Sequence, residues 1–149
     1  MAAARSVRQH VRMSENLKLL GEYSKAMEAG DEEAVFAFFA PEFHSHVTTR
    51  VNPEMVGDDI RREELRWWTE VRSAFPDMVF SVDLLIESDD LIVSNWTVRG
   101  THTGTPFYGV AASGNPVEIN GTAILRVRGG KIVEHWGGPH CQDGVGLTH

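Results

Sequence analysis

Three of the seven histidines in this chain, His46, His102 and His135, fall at the ends of predicted β-strands, where a curved sheet could aim them into one pocket. An imidazole ordinarily titrates near pH ~6.5, so it can give or take a proton at neutral pH with little tuning. Burial lowers that value and leaves a neutral base; a nearby carboxylate raises it and favours an acid. An enolising or cyclising reaction needs such a group together with a donor for the developing enolate oxygen. His135, His102 and His46 are the candidate proton carriers, with Tyr108 or the Trp96 N–H as further donors. For each histidine the ordinary alternative is a structural side chain hydrogen-bonded at a strand end. His44 reads as outward-facing, and His140 lies in a glycine-rich stretch. His44 and His46 share one face of an extended chain, but no carboxylate stands at matching spacing, so no metal is expected.

Strands and helices must position these groups. From Ser14 to Ala29, Leu17, Leu20, Tyr23 or Ser24, and Met27 recur at helical spacing, with Ser14 as N-cap and Gly30 as terminator. Asp31, Glu32 and Glu33 suit the start of a second helix carrying Val35, Phe38 and Phe39, which Pro41 ends. Phe43 to Thr49 reads as a first strand, followed by a loop through Asn52-Pro53. Asp58 to Ala74 is a third helix with apolar Ile60, Leu65, Trp67, Trp68 and Val71, and with Arg61, Arg62, Glu63 and Glu64 mostly opposite. Four strands follow, Val79 to Glu87, Leu91 to Thr103, Pro116 to Arg128 and Lys131 to Trp136, with tight-turn signals at Asp89-Asp90 and Gly129-Gly130. Helices first and consecutive antiparallel strands after them predict an α+β fold, a cone of helices packed in a strongly curved sheet. Its open end is a pocket, mostly apolar with a few convergent polar groups.

Strand parity assigns faces. Val117, Ile119, Gly121, Ala123 and Leu125 form the inward set of one strand; Trp96, Val98, Gly100 and His102 form that of its neighbour. In the last strand both sets mix apolar and polar residues. A hairpin through Gly129-Gly130 favours Val133 and His135 inward, and a bulge would reverse that. Trp67 and Trp96 are candidate substrate walls as well as core. Phe107-Tyr108-Gly109, in the Thr105 to Asn115 loop, is the candidate lid.

The bulk numbers set limits. At 149 residues the chain is long enough for one domain with its own core. Residues 1–13 read as a tail, 14–140 as the domain and 141–149 as a C-terminal tail. One cysteine, Cys141, excludes an internal disulfide, which fits a cytoplasmic protein and does not exclude a secreted one. A net charge of −7 argues against nucleic acid, and no apolar run approaches the roughly 20 residues that span a bilayer.

The stretches AMEAGDEEAVFAFFAPEF, WTVRGTHTGTPFYGV and GKIVEHW resemble the SnoaL-like polyketide cyclases, over roughly residues 14 to 140. That family belongs to the cystatin-like α+β superfamily, with ketosteroid isomerase and limonene epoxide hydrolase. The resemblance implies an intramolecular aldol closure in secondary-metabolite (antibiotic-type) biosynthesis, with no metal or organic cofactor. It also implies a homodimer through the convex sheet face, whose outward residues (Thr97, Arg99, Glu118, Asn120, Thr122, Ile124) permit it. The position of the family's acid/base aspartate is occupied by Gly137. Its pocket histidine and glutamine positions correspond to Ala123 and Gly121, and its pocket tyrosine to Met27. His102 and His46 match positions where the broader family often carries histidine. Small residues at 121, 123 and 137 imply a larger, more apolar cavity or a loss of activity. The expected function is a cofactor-free cyclase or isomerase acting on a hydrophobic polyketide-like intermediate. The rival is a non-catalytic domain that binds such a metabolite.

Overall fold

The computed structural model describes residues 13–47 and 58–140. The readings made of the two tails and of the Asn52-Pro53 loop fall outside those residues. The chain runs α1 (Glu15–Ala29), α2 (Glu32–Ala37), β1 (Phe39–Ser45), α3 (Asp58–Ala74), β2 (Val79–Ser88), β3 (Leu91–Thr101), β4 (Pro116–Arg128) and β5 (Lys131–Pro139).

Local chemistry explains the helix ends. The Ser14 hydroxyl accepts from the Leu17 N–H at 3.1 Å and donates to Glu87 at 2.8 Å, so one side chain caps α1 and ties it to β2. Gly30 ends α1 in the left-handed region at φ 71°. Asp31 caps α2 by accepting from the Ala34 N–H at 3.0 Å. The first strand begins four residues earlier than its sequence pattern suggests. Phe39 and Phe43 face the core while Pro41 and Glu42 are exposed. β1 is an edge strand that pairs only with β5, so a proline without an N–H is tolerated there.

The sheet order is β1-β5-β4-β3-β2. β2 to β5 form an antiparallel meander, and β1 joins β5 in parallel at the edge. The fold is therefore α+β, three helices against a five-stranded, mainly antiparallel curved sheet. Burial follows the predicted alternation in β4, where Val117, Ile119, Gly121 and Leu125 are buried and Ala123 half-buried. β5 is subtler. The register with β4 shifts between Arg126 and Val127, so Ile132 lies opposite Val127 and His135 opposite Leu125. This bulge turns both Ile132 and His135 toward the helices, which no unbroken alternation allows.

Two apolar clusters divide the interior. One centres on Leu20, Val35, Phe39, Leu125 and Ile132, the other on Val71, Phe75, Trp96, Phe107 and Ile119. Trp68 and Phe80 pack against both, so the seam between the clusters is aromatic. Among the described residues no helix is long and apolar enough to cross a membrane.

Candidate active site

An open cavity lies along that seam, walled by α1, α3 and the concave face of β2 to β5. Its aromatic wall comes from two strands and one helix turn. The Trp67 and Trp68 rings meet edge-on at 4.8 Å, Trp96 lies 5.6 and 5.7 Å from them, and Phe80 is 5.2 Å from Trp68. Trp96 fits because its β4 neighbour is Gly121. A Cβ there would sit 2.0 Å from the indole Cζ2. The small residue therefore does not enlarge the cavity, as the sequence suggests; the indole fills the space. Gly121 is not a wall residue, whereas Met27, Trp67, Trp96 and Ala123 are.

One end of the cavity is polar. His135 Nδ1 is 2.8 Å from Glu64 Oε2, and the Ser45 hydroxyl donates to Glu64 Oε1. Each partner owes its place to a pattern. Ser45 shares the inward face of β1 with Phe43 and lies opposite His135 in the parallel register. Glu64 follows Ile60 by four residues and precedes Trp67 and Val71 by three and seven, so it sits on the buried stripe of α3. The sequence pattern assigned it to the solvent face, and the structure corrects that. A carboxylate inside an otherwise apolar helical stripe is the signal that could have found it. Burial alone would push the Glu64 carboxyl up. The charge and hydrogen bond of His135 and the Ser45 hydroxyl outweigh that and hold it below the usual glutamate value. Beside it on α1, burial and the Glu64 charge push the phenol of Tyr23, a cavity-lining residue, far up, so it stays protonated. His135 Nε2 is buried and makes no hydrogen bond.

The three expected histidines do not converge. His102 is fully buried outside the cavity, where its ring contacts Phe75 at 5.1 Å and its Nε2 bonds the Thr105 carbonyl at 2.9 Å. Its backbone N–H and C=O hold Asn115 and Gly114, so it closes the base of the 103–115 loop. His46 points to the outer face, since Ser45 takes the inward position. Its ring stacks on Trp136 at 4.6 Å and 2°, with Nε2 3.3 Å from Glu134. His44 lies beside it at 4.4 Å, and His140 Nε2 is 3.4 Å from Thr122 Oγ1. Among the described histidines, only His135 borders the cavity. Phe107 is core at 1% exposure, not a lid. Tyr108 takes φ 47° and its hydroxyl accepts from the Trp67 indole N–H at 2.9 Å, which braces the wall from behind. Gly137, where the family's aspartate would stand, has φ 94°, and a Cβ would meet the Thr122 carbonyl oxygen at 2.1 Å. No side chain reaches the cavity from that position. Among the described residues no group of three or more His, Cys, Asp or Glu could hold a metal ion.

Known proteins agree with this architecture. The structure of IdmH, a putative polyketide cyclase from Streptomyces antibioticus, is 29% identical with a TM-score of 0.70, over 89% of this chain and all of that one (100%). AclR, a putative hydroxylase from Streptomyces galilaeus, aligns at TM-score 0.74 and 23% identity over 91% of this chain and 80% of its own. TsrD from Streptomyces laurentii aligns at TM-score 0.70 and 23% identity over 92% and 94%. No curated protein matches the chain. The sequence profile of the SnoaL-like polyketide cyclases matches residues 18–147, and the chain belongs to that family.

Proposed function

We propose that the protein is a cofactor-free cyclase or isomerase of secondary-metabolite biosynthesis, acting on a hydrophobic polyketide-like intermediate by proton transfer through His135. The observation that carries this reading is a histidine bordering an aromatic cavity, with one nitrogen on a buried carboxylate and the other buried without a partner. His102 also has a buried nitrogen without a partner, Nδ1, but it lies outside the cavity, and His46 stacks on the outer sheet face, so neither is given a chemical role. The putative polyketide cyclase IdmH supports the same reaction class.

The chemistry is the movement of one proton. His135 takes it from a carbon made acidic by neighbouring carbonyls, the electron pair stays on the substrate as an enolate, and the enolate attacks a second carbonyl to close the ring. The proton then returns to the new alkoxide. The Tyr23 hydroxyl, kept protonated by its surroundings, is the nearby donor suited to an enolate oxygen. The wall of Trp67, Trp68, Trp96 and Phe80 orders a flat apolar chain and keeps water from the enolate.

Turnover of a panel of hydrophobic poly-β-keto esters, followed by mass spectrometry, tests the reading. His135→Gln should lower the rate about a hundredfold or more, the usual scale of a general base, while His46→Gln leaves it unchanged. Undiminished conversion by His135→Gln sinks the proposal. Saturable binding of the esters with no conversion by the wild type would favour the metabolite-binding alternative.

A further inference from the structure

We propose that Glu64 and Ser45 are positioning residues that lock His135 into one tautomer, so that its Nε2 meets the substrate as a base rather than an acid. The inference rests on the proton-transfer reading above and fixes the direction of its first step.

A carboxylate oxygen only accepts hydrogen bonds. With Glu64 Oε2 2.8 Å from His135 Nδ1, the ring proton belongs on Nδ1, and Nε2 of the neutral ring carries a lone pair. The Ser45 hydroxyl donates to the other carboxylate oxygen, so both oxygens of Glu64 are engaged and the group cannot swing away. The three residues come from three elements, β1, α3 and β5. The strands are clamped at this level, because the His46 N–H donates to the His135 carbonyl at 2.8 Å. Nε2, buried and without a partner, is the atom left for chemistry.

Consequences for the proton follow. It passes from the substrate C–H to Nε2, and the imidazolium formed stands beside a carboxylate that is already ionised. When it returns to the alkoxide, the ring regains its starting tautomer, and no other reactant is consumed. The titratable groups around the ring are Glu64 on α3, Tyr23 on α1 and Glu63 on the cavity wall, with His46 and Glu134 on the opposite sheet face. Of these, Glu64 alone contacts the ring through Nδ1. His102 supplies an internal contrast. Its Nε2 bonds a carbonyl, the Thr105 oxygen, so it carries the opposite tautomer.

Two-bond ¹H–¹⁵N correlation spectra of the full chain with ¹⁵N-labelled histidine, without ligand, read both rings together. The expected result is His135 protonated on Nδ1 and His102 on Nε2. In Glu64→Gln the Nε2–H form should appear. In Ser45→Ala the same form should appear at a smaller share. An unchanged His102 pattern reports that each variant is folded; should Glu64→Gln not fold, the wild-type tautomer decides. An Nε2–H ring in the wild type overturns the inference, as does a Glu64→Gln spectrum with the tautomer unchanged. Because no substrate is used, the outcome is separable from the turnover test. An Nδ1–H ring with conversion surviving His135→Gln retires the proton-transfer reading, and an Nε2–H ring with conversion lost retires only this inference.

Discussion

At the scale of single residues, the chain separates histidines that look equivalent in sequence by what each nitrogen touches. His102 and His135 are both inward, but His102 spends its Nε2 on a loop carbonyl and His135 keeps its Nε2 bare. His102→Ala should therefore cost stability, about 1–3 kcal/mol for a lost buried hydrogen bond and its packing, and should not abolish turnover. Denaturant unfolding beside the ester assay checks both halves; a variant as stable as wild type contradicts the assignment. Glu64 makes a second prediction, in pH. Its carboxyl titrates below the ordinary glutamate value in the folded protein, so the unfolded chain binds the proton more readily. Ionised Glu64 then stabilises the fold above the ordinary glutamate range, and that contribution is lost as pH falls through the folded value. The stability of wild type relative to Glu64→Gln should shrink steadily on acidification below that range. A difference that grows instead would mean that desolvation, not His135 and Ser45, dominates the site.

At the scale of elements, Gly137 shows why a departure from a family pattern cannot simply be reversed. Reinstating the family's aspartate as Gly137→Asp should not add a catalytic group. The φ of 94° and the 2.1 Å approach to Thr122 oxygen make any Cβ strained, at a cost on the order of 2–5 kcal/mol. Chemical denaturation measures it, and an undisturbed, active Gly137→Asp would refute the geometry. Element types and bounds were legible in the sequence wherever periodicity and caps agreed: α3 and β4 run over the expected residues, and Ser14 and Gly30 bracket α1. The inward face of β4 was legible for the same reason. The site was legible only in part. His135, Trp67, Trp96, Met27 and Ala123 line the cavity, but Glu64 and Ser45 did not stand out, because their roles depend on a parallel β1–β5 pairing between distant segments. Parity within one strand cannot report a bulge in its partner, so β5 resolves only in three dimensions. His46 was misdirected for a related reason. A strand end fixes only a place, while the alternation of Phe43 and Ser45 against His44 and His46 decides the side.

For the whole molecule, the convex face of the sheet is the surface still without a role, and we propose that it pairs two copies of the chain. Registers across four strands align Ile86 with Val93, Val93 with Ile124, and Ile124 with Trp136. An apolar row thus crosses the face that points away from the cavity. Its outer end is open, with Ile86 51% and neighbouring Leu84 55% exposed on edge strand β2. Large apolar side chains gathered on one face mark contact surfaces more often than scattered ones do, and a two-fold pair is the commonest closed arrangement. Between such copies the row would meet itself, and the cavities would open away from the contact. Sedimentation velocity should find a dimer rather than the 16.6 kDa monomer, and Ile86→Lys combined with Ile124→Glu should shift it toward monomer. Since both positions lie on the far side of the sheet from His135, its nitrogen spectrum should be unchanged in that variant. A wild type that sediments as a monomer at every accessible concentration rejects the pairing without touching the site.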